Sequence, residues 1–524
     1  MNNLFKLFSL GVLSTFTLIS CGEDGLDGIN GTDGTNGTNG ENGADGKDAE
    51  VIKPISQLTF SKIGSFTNGD DEAYAEISAF DPITKKLFIA NSEENEVSVL
   101  DLTDATNPVK LSSITLTANP NSVAVHNGVL AVAVENDDKQ ANGTIETYNT
   151  DTQASVQSYT TGALPDMVTF SPDGKYLISA NEGEPNDDYD VDPEGSITIV
   201  EIATGVVTQV AFTGLTNPGN DFRVFGPGAT LEQDVEPEYI AVSEDSKTAF
   251  ISLQENNGMA IVDLDSKTIT KIVGLGTKNY NIAGNEIDAS DRDGISGNLK
   301  NWNVLSFYMP DAIDYFTTNG NGYIVSANEG DSRDYDGYSE EERVKDLDLD
   351  TDAYPNADEL QEDENIGRLK ITTANGKNSD GKYYQIYGYG ARSFSIWNTD
   401  GERVYDSGSE ISRRTLALAP YAFNQDEGEV DGRSDDKGAE PEAVKTLKIG
   451  DETMLFVGLE RASGILVYNV TNPLNPEFIT WLYDGDDIAP EGLTVVDKAD
   501  SPTGNYLMIS TNEVSSTIAI YEIK

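Results

Sequence analysis

One pattern recurs along the chain, and it constrains the fold more than any other feature. In its clearest copy, LPDMVTFSPDGKYLISANEG, a strand-like run leads to the turn SPDG, a second strand-like run and the polar ending NEG. The other copies are EPEYIAVSEDSKTAFISLQENN, MPDAIDYFTTNGNGYIVSANEG, EPEAVKTLKIGDETMLFVGLERA, APEGLTVVDKADSPTGNYLMISTNE and the weaker NPNSVAVHNGVLAVAVEN and YAEISAFDPITKKLFIANSE. Short β-branched runs separated by turn residues are typical of antiparallel strands. Seven copies of one hairpin therefore indicate a repeat architecture.

Most copies are followed by a third strand-like segment, such as GSITIVEI, GMAIVDL, GILVYNV or STIAIYEI. Seven units of three or four strands predict an all-β fold, a seven-bladed β-propeller over residues 55–524. The gaps between later copies are longer, which predicts long loop insertions on one face. The last unit ends at its third strand, IAIYEIK, whereas QLTFSKIGSF precedes the first unit. We expect this N-terminal segment to supply the missing strand and close the ring.

Residues 1–20 have the character of a secretion signal. Lys6 precedes the apolar run LFSLGVLSTFTLIS, which is too short to cross a membrane as a helix. The run ends in LISC, which resembles the lipobox of bacterial lipoproteins and predicts a lipid on Cys21. Such an anchor would be the protein's sole contact with a membrane. The residue after Cys21 is Gly and not Asp, which favours the outer membrane and exposure on the cell surface.

Residues 21–50 form a distinct segment between the signal and the repeats. Glycine occurs at every third position from Gly22 to Gly46, which is the period that a collagen triple helix requires. The segment contains no proline to hold the chain extended. Two interpretations stay open: a flexible spacer, and a collagen-like stalk that joins three copies of the chain.

The charge balance and the rare residues narrow the function. Asp and Glu number 90 against 34 Lys and Arg, for a formal charge of -56. A chain this acidic repels nucleic acids and attracts cations. It has one cysteine, Cys21, and one histidine, His126, so a zinc site built from Cys and His is excluded. The remaining metal ligands are hard oxygens, which favour Ca²⁺, with Mg²⁺ as the second candidate.

The repeats place acidic residues at two fixed positions, where the first strand begins and where the second strand ends. Because these strands are antiparallel and the first strand lines the propeller axis, both positions are expected on one face beside that axis. The first ring is expected to contain Glu76, Asn121, Asp166, Glu238, Asp311, Glu442 and Glu491. The second is expected to contain Glu135, Asn181, Glu182, Glu255, Asn328, Glu329, Glu460, Asn512 and Glu513. Together the two rings would form an acidic mouth at one end of the propeller axis. Carboxylates this close need cations, basic partners or raised pKa values, unless this mouth is simply solvated.

Four long segments are expected to emerge on the same face and cover the acidic mouth: EGEPNDDYDVDPEG and residues 276–310, 331–366 and 388–440. They are rich in alternating aspartates that resemble calcium loops, although none fits the EF-hand pattern. Combined with the two rings, they give the candidate metal ligands Glu182, Glu238, Asp311, Glu329, Glu442, Glu491, Asp188, Asp190, Asp192 and Asp331.

Several motifs together resemble a known family. SPDGKYLISAN is similar to the YVTN-type propeller repeat, and ANEGEPNDDYDVDPEGS, SFYMPDAIDYF, SANEGDSRDYDGY, GYGARSFSIWN, AEPEAV and APEGL resemble the choice-of-anchor I proteins. That family includes mesenchyme-specific cell-surface glycoproteins. The resemblance covers residues 55–524 and implies a secreted or surface propeller with a link to calcium. Some members are labelled alkaline phosphatases, by similarity to calcium-dependent phosphatases that are also propellers.

Three functions fit these observations. The first is a calcium-loaded surface module for adhesion, ligand binding or mineral and cation handling. The second is a calcium-dependent phosphoester hydrolase, in which Arg333 and Arg392 grip phosphate, unless both only pair with nearby acids. The third is a platform at whose acidic face a protein, a glycan or a phosphorylated ligand binds. The first function is preferred, and the number of bound metal ions distinguishes it from the second.

Overall fold

The computed structural model describes residues 53–69, 74–426 and 428–524, in which β-strands dominate. The strands of the first half are β1 (Phe60–Thr67), β2 (Ser78–Asp81), β3 (Lys86–Asn91), β4 (Glu96–Asp101), β5 (Val109–Thr115), β6 (Pro120–His126), β7 (Val129–Val134), β8 (Asn142–Asn149), β9 (Ser155–Ala163), β10 (Pro165–Phe170), β11 (Tyr176–Asn181), β12 (Ser196–Glu201), β13 (Val206–Ala211), β14 (Pro237–Val242), β15 (Thr248–Leu253), β16 (Gly258–Asp263) and β17 (Thr268–Gly274).

The second half contains longer connections and the few helices. Its strands are β18 (Thr277–Asn279), β19 (Val304–Phe307), β20 (Ile313–Thr318), β21 (Asn321–Asn328), β22 (Asp334–Tyr335), β23 (Tyr338–Ser339), β24 (Glu341–Arg343), β25 (Lys370–Thr372), β26 (Ile386–Gly388), β27 (Ser393–Asn398), β28 (Arg403–Asp406), β29 (Pro441–Ile449), β30 (Glu452–Leu459), β31 (Ile465–Asn469), β32 (Glu477–Leu482), β33 (Pro490–Val496), β34 (Tyr506–Asn512) and β35 (Thr517–Ile523). The α-helices are α1 (Leu231–Asp234), in the first half, α2 (Ala357–Leu360) and α3 (Glu410–Leu418), and 3₁₀ turns span Ile55–Gln57, Val344–Asp346 and Pro420–Ala422.

Seven four-stranded antiparallel sheets form the body of the described residues. They are β2–β5, β6–β9, β10–β13, β14–β17, β20-β21-β27-β28, β29–β32 and β33-β34-β35-β1. The innermost strands contact one another in the order β2, β6, β10, β14, β20, β29 and β33, and β33 contacts β2. A closed ring of this kind leaves few unpaired strand edges. The all-β propeller fold predicted from the repeats is confirmed.

The ring is closed by β1, the first strand of the described residues. β1 pairs with β35 in antiparallel register from Phe60↔Ile523 to Thr67↔Thr517. The last sheet therefore takes three strands from the C-terminal end and its outermost strand from the N-terminal end. This is the closure that the sequence predicts for QLTFSKIGSF.

The hydrophobic core lies between neighbouring sheets. Ile178 and Ile199 of one sheet, for example, pack in one cluster with Ile251 and Val262 of the next. Because each sheet lies between two others, its central strands are covered on both faces. β11 is buried at every position, whereas most positions of the outermost strand β13 are exposed. Two-sided burial explains why the central strands are continuous apolar runs without alternation.

The insertions build a second small core beside the ring. β19 pairs in parallel with β26, so segments before and after β21 meet in one sheet. Buried apolar side chains of both segments, including Tyr280, Ile287, Leu349 and Tyr354, form their own cluster. One boundary was wrong: residues 388–440 are not a single insertion, because they contain β27 and β28 of the fifth sheet.

The repeated SAN tripeptide has a structural role that its turn-like composition conceals. Asn181 donates to the Ser196 carbonyl oxygen and to the Thr198 hydroxyl, and accepts a hydrogen bond from Ser179. Asn328 likewise donates to Ser395. Both amides therefore fasten the second strand to the third. This corrects the expectation that Asn181, Asn328 and the similarly bonded Asn512 face the axis.

The N-terminal predictions lie outside the described residues. These are the signal over 1–20, the lipid on Cys21 and the Gly-x-y segment over 21–50, and they stay predictions. Within the part of the chain that the structure describes, no helix combines the length and apolar character needed to cross a membrane.

Candidate functional site

The acidic residue that follows proline lies in a local irregularity of the innermost strand. The β10–β11 register shifts between Pro165 and Val168, and the β14–β15 register shifts between Pro237 and Ile240. The same shift follows Pro120, Pro441 and Pro490. Proline starts a strand without needing a donor, and a bulge re-aims the next side chain. In these five sheets the polar residue after proline is thus turned toward the axis.

These side chains converge on a cavity of 340 Å³ at the axis. Its polar lining residues are Asn121, Ser122, Asp166, Glu238, Tyr239, Gln254, Asp311, Glu329, Asp331, Lys437, Glu442, Glu460, Arg461 and Glu491. Six of the seven residues of the expected first ring are present in that lining. The seventh, Glu76, lies close enough to Glu491 for its charge to raise the pKa of that carboxyl.

The axial carboxyl groups are hard to ionise together. Burial, followed by the charge of neighbouring carboxylates, raises the pKa of Glu238, Asp311, Glu442 and Glu491 well above the ordinary value. The same causes raise the pKa of Asp166 to about 7. At neutral pH such a ring must hold protons or a cation.

Three axial oxygens lack a hydrogen-bond donor within the described part of the chain. They are the buried Oε2 atoms of Glu238, Glu442 and Glu491. A buried acceptor without a partner is costly, and nearly all such atoms in folded proteins are satisfied. A hard divalent cation fits this donor set, because it accepts carboxylate oxygens as ligands and offsets their mutual repulsion.

A second group of acids at the edge of the cavity is closely spaced. Glu329, Glu440 and Glu460 each present a carboxylate oxygen, and these three atoms lie within 4.8 Å of one another. Glu329 follows β21, Glu440 precedes β29 and Glu460 follows β30. Two neighbouring sheets thus bring these three acids together, and we call them the carboxylate trio.

Basic side chains partner the carboxylate trio. Lys437 Nζ lies 2.6 Å from Glu329 Oε1 and 3.7 Å from Glu440 Oε2. Arg461 pairs with Glu460 at 3.0 Å, and Arg433 pairs with Glu440 at 2.7 Å. Burial favours the neutral form of Glu440, but Lys437 and Arg433 outweigh it and hold the pKa of Glu440 below its ordinary value. Burial and the two other members of the trio raise the pKa of Glu460 to about 8.

The backbone before several axial prolines is strained. Leu164, Met309, Glu440 and Ala489 have φ values of 47°, 46°, 50° and 59°. Residues other than glycine rarely adopt the left-handed region, least of all before proline, and such strain concentrates at functional sites. The same backbone conformation thus recurs at four places around the axis.

The two candidate arginines do not line the cavity. Arg333 is 1% exposed, with Nη1 2.6 Å from Asp234 Oδ1 and Nη2 3.0 Å from Glu236 Oε1. Arg392 donates to the carbonyl oxygens of Asp288, Ser434 and Asp436. Both guanidinium groups hold segments of the protein together, which corrects the expectation that they are open to a phosphate ligand.

The aspartates of the loop that follows the first SANEG lie apart from the cavity. Asp188 and Asp190 are exposed, and Asp190 accepts a hydrogen bond from Asn186. Asp192 is half-buried, and burial raises its pKa to about 6. None of these three residues lines the axial cavity, whereas Asp331 does.

Glu182 lies in another acidic group beside the axis. Burial raises its pKa well above the ordinary value, and Glu184, Asp166, Glu255 and Glu236 raise it further. It lies near the axial ring, because burial and neighbouring acids including Glu182 raise the pKa of Glu238, and it is not a member of the carboxylate trio.

The sequence reasoning missed the charged residues Glu440, Lys437 and Arg461, and also the neutral lining residues Ser122, Tyr239 and Gln254. Glu440 directly precedes Pro441, so AEPEAV carries an acid on both sides of its proline, and only Glu442 was selected. Lys437 and Arg461 are basic residues in acidic surroundings. Their rarity in this chain is a signal that could have drawn attention to them.

The ring of sheets and its carboxylate-lined cavity define a β-propeller with an acidic axial mouth. The family model of the choice-of-anchor I domain matches residues 76–473, and the chain belongs to the choice-of-anchor I family. The resemblance found in the sequence motifs is therefore confirmed.

Two curated relatives show moderate similarity. Gigasin-3a of Magallana gigas is 27% identical over 190 residues, which cover 32% of this chain and 67% of the relative. A mesenchyme-specific cell surface glycoprotein of Strongylocentrotus purpuratus is 28% identical over 335 residues, which cover 56% of this chain and 41% of the relative. The chain thus spans less than half the length of the second relative.

Solved structures overlap with the chain only loosely. Hydrazine synthase of Kuenenia stuttgartiensis gives a TM-score of 0.45 at 12% identity, covering 87% of this chain and 97% of that one. The WD40 domain of Toxoplasma gondii coronin gives 0.47 at 8% identity, covering 91% and 88%.

Proposed function

We propose that this protein is a surface-associated propeller that binds hard divalent cations at its axial mouth and acts in adhesion, ligand binding or mineral and cation handling. Ca²⁺ is the expected ion, and Mg²⁺ is the second candidate. The observation that carries the proposal is the set of buried, donor-free Oε2 atoms of Glu238, Glu442 and Glu491. The closely spaced carboxylate trio supports it.

The residues present fit a calcium ion better than a transition metal. All the candidate ligands are carboxylates or amides, and neither ring supplies sulfur or imidazole. Calcium takes six to eight oxygen ligands in flexible geometry, which a ring of glutamates can supply. Glutamates of β14, β29 and β33 would contribute one carboxylate each, while Asp166 and Asp311 lie beside them.

The test is metal content. The purified protein is equilibrated with CaCl₂, passed through a desalting column and analysed for calcium by mass spectrometry. We expect at least one retained ion per chain, and loss of that ion in the double variant Glu442→Gln/Glu491→Gln. Asp190→Asn, an acid of the exposed loop, serves as the matched control. Retention no higher in the wild type than in the double variant would contradict the proposal.

A phosphoester hydrolase is the second candidate function, and one observation favours it. Lys437 and Arg461 line the same cavity as the acids, so cationic side chains and candidate metal ligands share one space. A bound metal would activate water and neutralise phosphate charge there. Hydrolysis of p-nitrophenyl phosphate by the calcium-loaded protein, abolished in Glu442→Gln/Glu491→Gln, would establish this activity. No hydrolysis above the double variant would leave the binding function alone.

Localisation completes the proposal. The LISC motif supports a lipid anchor on Cys21 in the outer membrane, with the propeller on the cell surface. The similarity to a mesenchyme-specific cell surface glycoprotein supports the surface assignment. Replacement Cys21→Ser is expected to release the protein from the membrane fraction. Equal membrane retention of both forms would contradict lipid anchoring.

A further inference from the structure

Lys437 occupies an unusual position among the basic residues of this chain. Its side chain is 12% exposed and reaches the carboxylate trio from the segment that precedes β29. Its ammonium lies 2.6 Å from Glu329 Oε1, 3.3 Å from Asp331 Oδ1 and 3.7 Å from Glu440 Oε2. Lysine carries a compact point charge on a flexible stem. The ammonium therefore lies among the oxygens that a metal ion would need.

Basic partners already offset the charge of the trio. Lys437, Arg433 and Arg461 face Glu329, Glu440 and Glu460. A divalent ion added to the trio would meet the ammonium of Lys437 at close range in a desolvated cavity, where repulsion is strong. One of the two cations must leave, and the unbranched lysine side chain is the one that can rotate away without backbone movement.

We propose that Lys437 is the resident cation of the carboxylate trio, that a divalent ion displaces it, and that the released ammonium then holds an anionic ligand beside the ion. This inference rests on the proposed binding of divalent cations at the axial mouth, and it places an ion at the carboxylate trio on the edge of the axial cavity. Displacement leaves the carboxylates bound to the metal and leaves Lys437 without a counter-ion, next to Arg461. An anion with tetrahedral oxygens, as in a phosphate or sulfate ester, satisfies both basic groups and the metal.

Binding of the cation and binding of the anion should each strengthen the other. The anion should bind weakly to the cation-free protein, in which Lys437 is engaged by Glu329 and Asp331. It should bind more tightly after cation loading, and by thermodynamic reciprocity it should tighten cation binding by the same factor.

The first test is calorimetric titration of the full protein with CaCl₂. Lys437→Met removes the competing charge and is expected to bind calcium about tenfold more tightly, while Lys437→Arg keeps the charge and stays near the wild type. Lys62→Met is the matched control, because Lys62 also bridges two acids, Asp484 and Asp487, but outside the cavity. Thermal unfolding of each variant verifies that it is folded.

The second test is titration with sodium sulfate, which stays soluble with calcium at millimolar concentration. We expect sulfate to bind the calcium-loaded wild type, to bind the calcium-free protein at least tenfold more weakly, and to lose this gain in Lys437→Met. Unchanged or weaker calcium affinity in Lys437→Met, with a calcium-binding wild type, overturns the inference and leaves the cation site standing. A sulfate affinity that is the same with and without calcium also overturns the inference. Absence of calcium binding in every form overturns the cation site itself.

Discussion

Two acidic regions beside the propeller axis have similar composition and opposite character. Around Arg333, the carboxylates of Asp234 and Glu236 are ion-paired to a buried guanidinium within 3.0 Å. In the axial cavity, Glu238, Glu442 and Glu491 each keep a buried oxygen without a donor. The first region has its positive charge built into the chain. In the second, none of the described basic residues pairs with these three glutamates, although Lys437 and Arg461 line the same cavity, so the same residue type is structural in one place and available for a ligand in the other.

The carboxylate trio lies between these extremes. Its acids have basic partners, but the closest is a lysine, whose single ammonium is easier to displace than a planar guanidinium bound at several points. Arg333 and Lys437 both lie among several acids. The identity of the basic residue, and not the number of acids around it, therefore distinguishes a fixed ion-pair network from a site at which the cation can be exchanged.

The largest effect is expected from the fixed region. Arg333→Met leaves Asp234 and Glu236 buried without their partner, and breaking a buried ion pair in this way costs about 3–5 kcal/mol. The measurement is the free energy of unfolding in urea. Arg461→Met is the control, because Arg461 is 30% exposed and Glu440, one of its acids, keeps Arg433 and Lys437 as partners. Equal losses in both variants would show that the two regions do not differ.

Substitutions in the axial region should raise the free energy of unfolding, whereas Arg333→Met lowers it. Glu442→Gln/Glu491→Gln removes two carboxyl groups whose ionised forms are unfavourable, because burial and neighbouring acids raise their pKa values. Without calcium we expect higher stability at pH 8, because glutamine occupies the same buried position without a charge that burial and neighbouring acids disfavour. With calcium the wild type should be the more stable protein. A double variant that is destabilised in the absence of calcium would contradict the unpartnered state of these oxygens.

The pH dependence of stability sharpens the same contrast. Acids whose pKa is raised by folding stabilise the protein fully below their ordinary pKa, and this contribution is lost as pH rises through the folded value. For Glu76 and Glu460 that window runs from 4.5 to about 8. The calcium-free protein should therefore melt at progressively lower temperature across this range, and calcium should reduce the decline. A melting temperature that rises across the window would contradict the assignment.

The sequence predicts the ring of the site better than its details. The Pro-acid pair recurs at a fixed place in five of the seven repeats, so position along the chain sufficed to bring Asp166, Glu238 and Glu491 to the axis. The partners could not be predicted in this way. Lys437 and Glu440 come from an insertion without a repeat, and the burial of Arg333 depends on contacts between segments distant in sequence. Successive side chains along a strand point in opposite directions. The asparagines that end β11 and β21 therefore face away from the axis, whereas Glu182 and Glu329, which follow them, do not.

The smallest effect is expected in the exposed loop. Asp188 and Asp190 were selected because alternating aspartates resemble a calcium loop, yet both are exposed and neither lines the cavity. Solvated carboxylates at this spacing lose little when neutralised, so Asp188→Asn/Asp190→Asn should leave calcium content, affinity and unfolding free energy within error of the wild type. Calcium titration and urea unfolding of this variant provide the measurement, with Glu442→Gln/Glu491→Gln as the contrasting pair. Loss of one bound ion in the loop variant would locate a calcium site outside the axial mouth, and acid density would then matter more than the missing counter-ion.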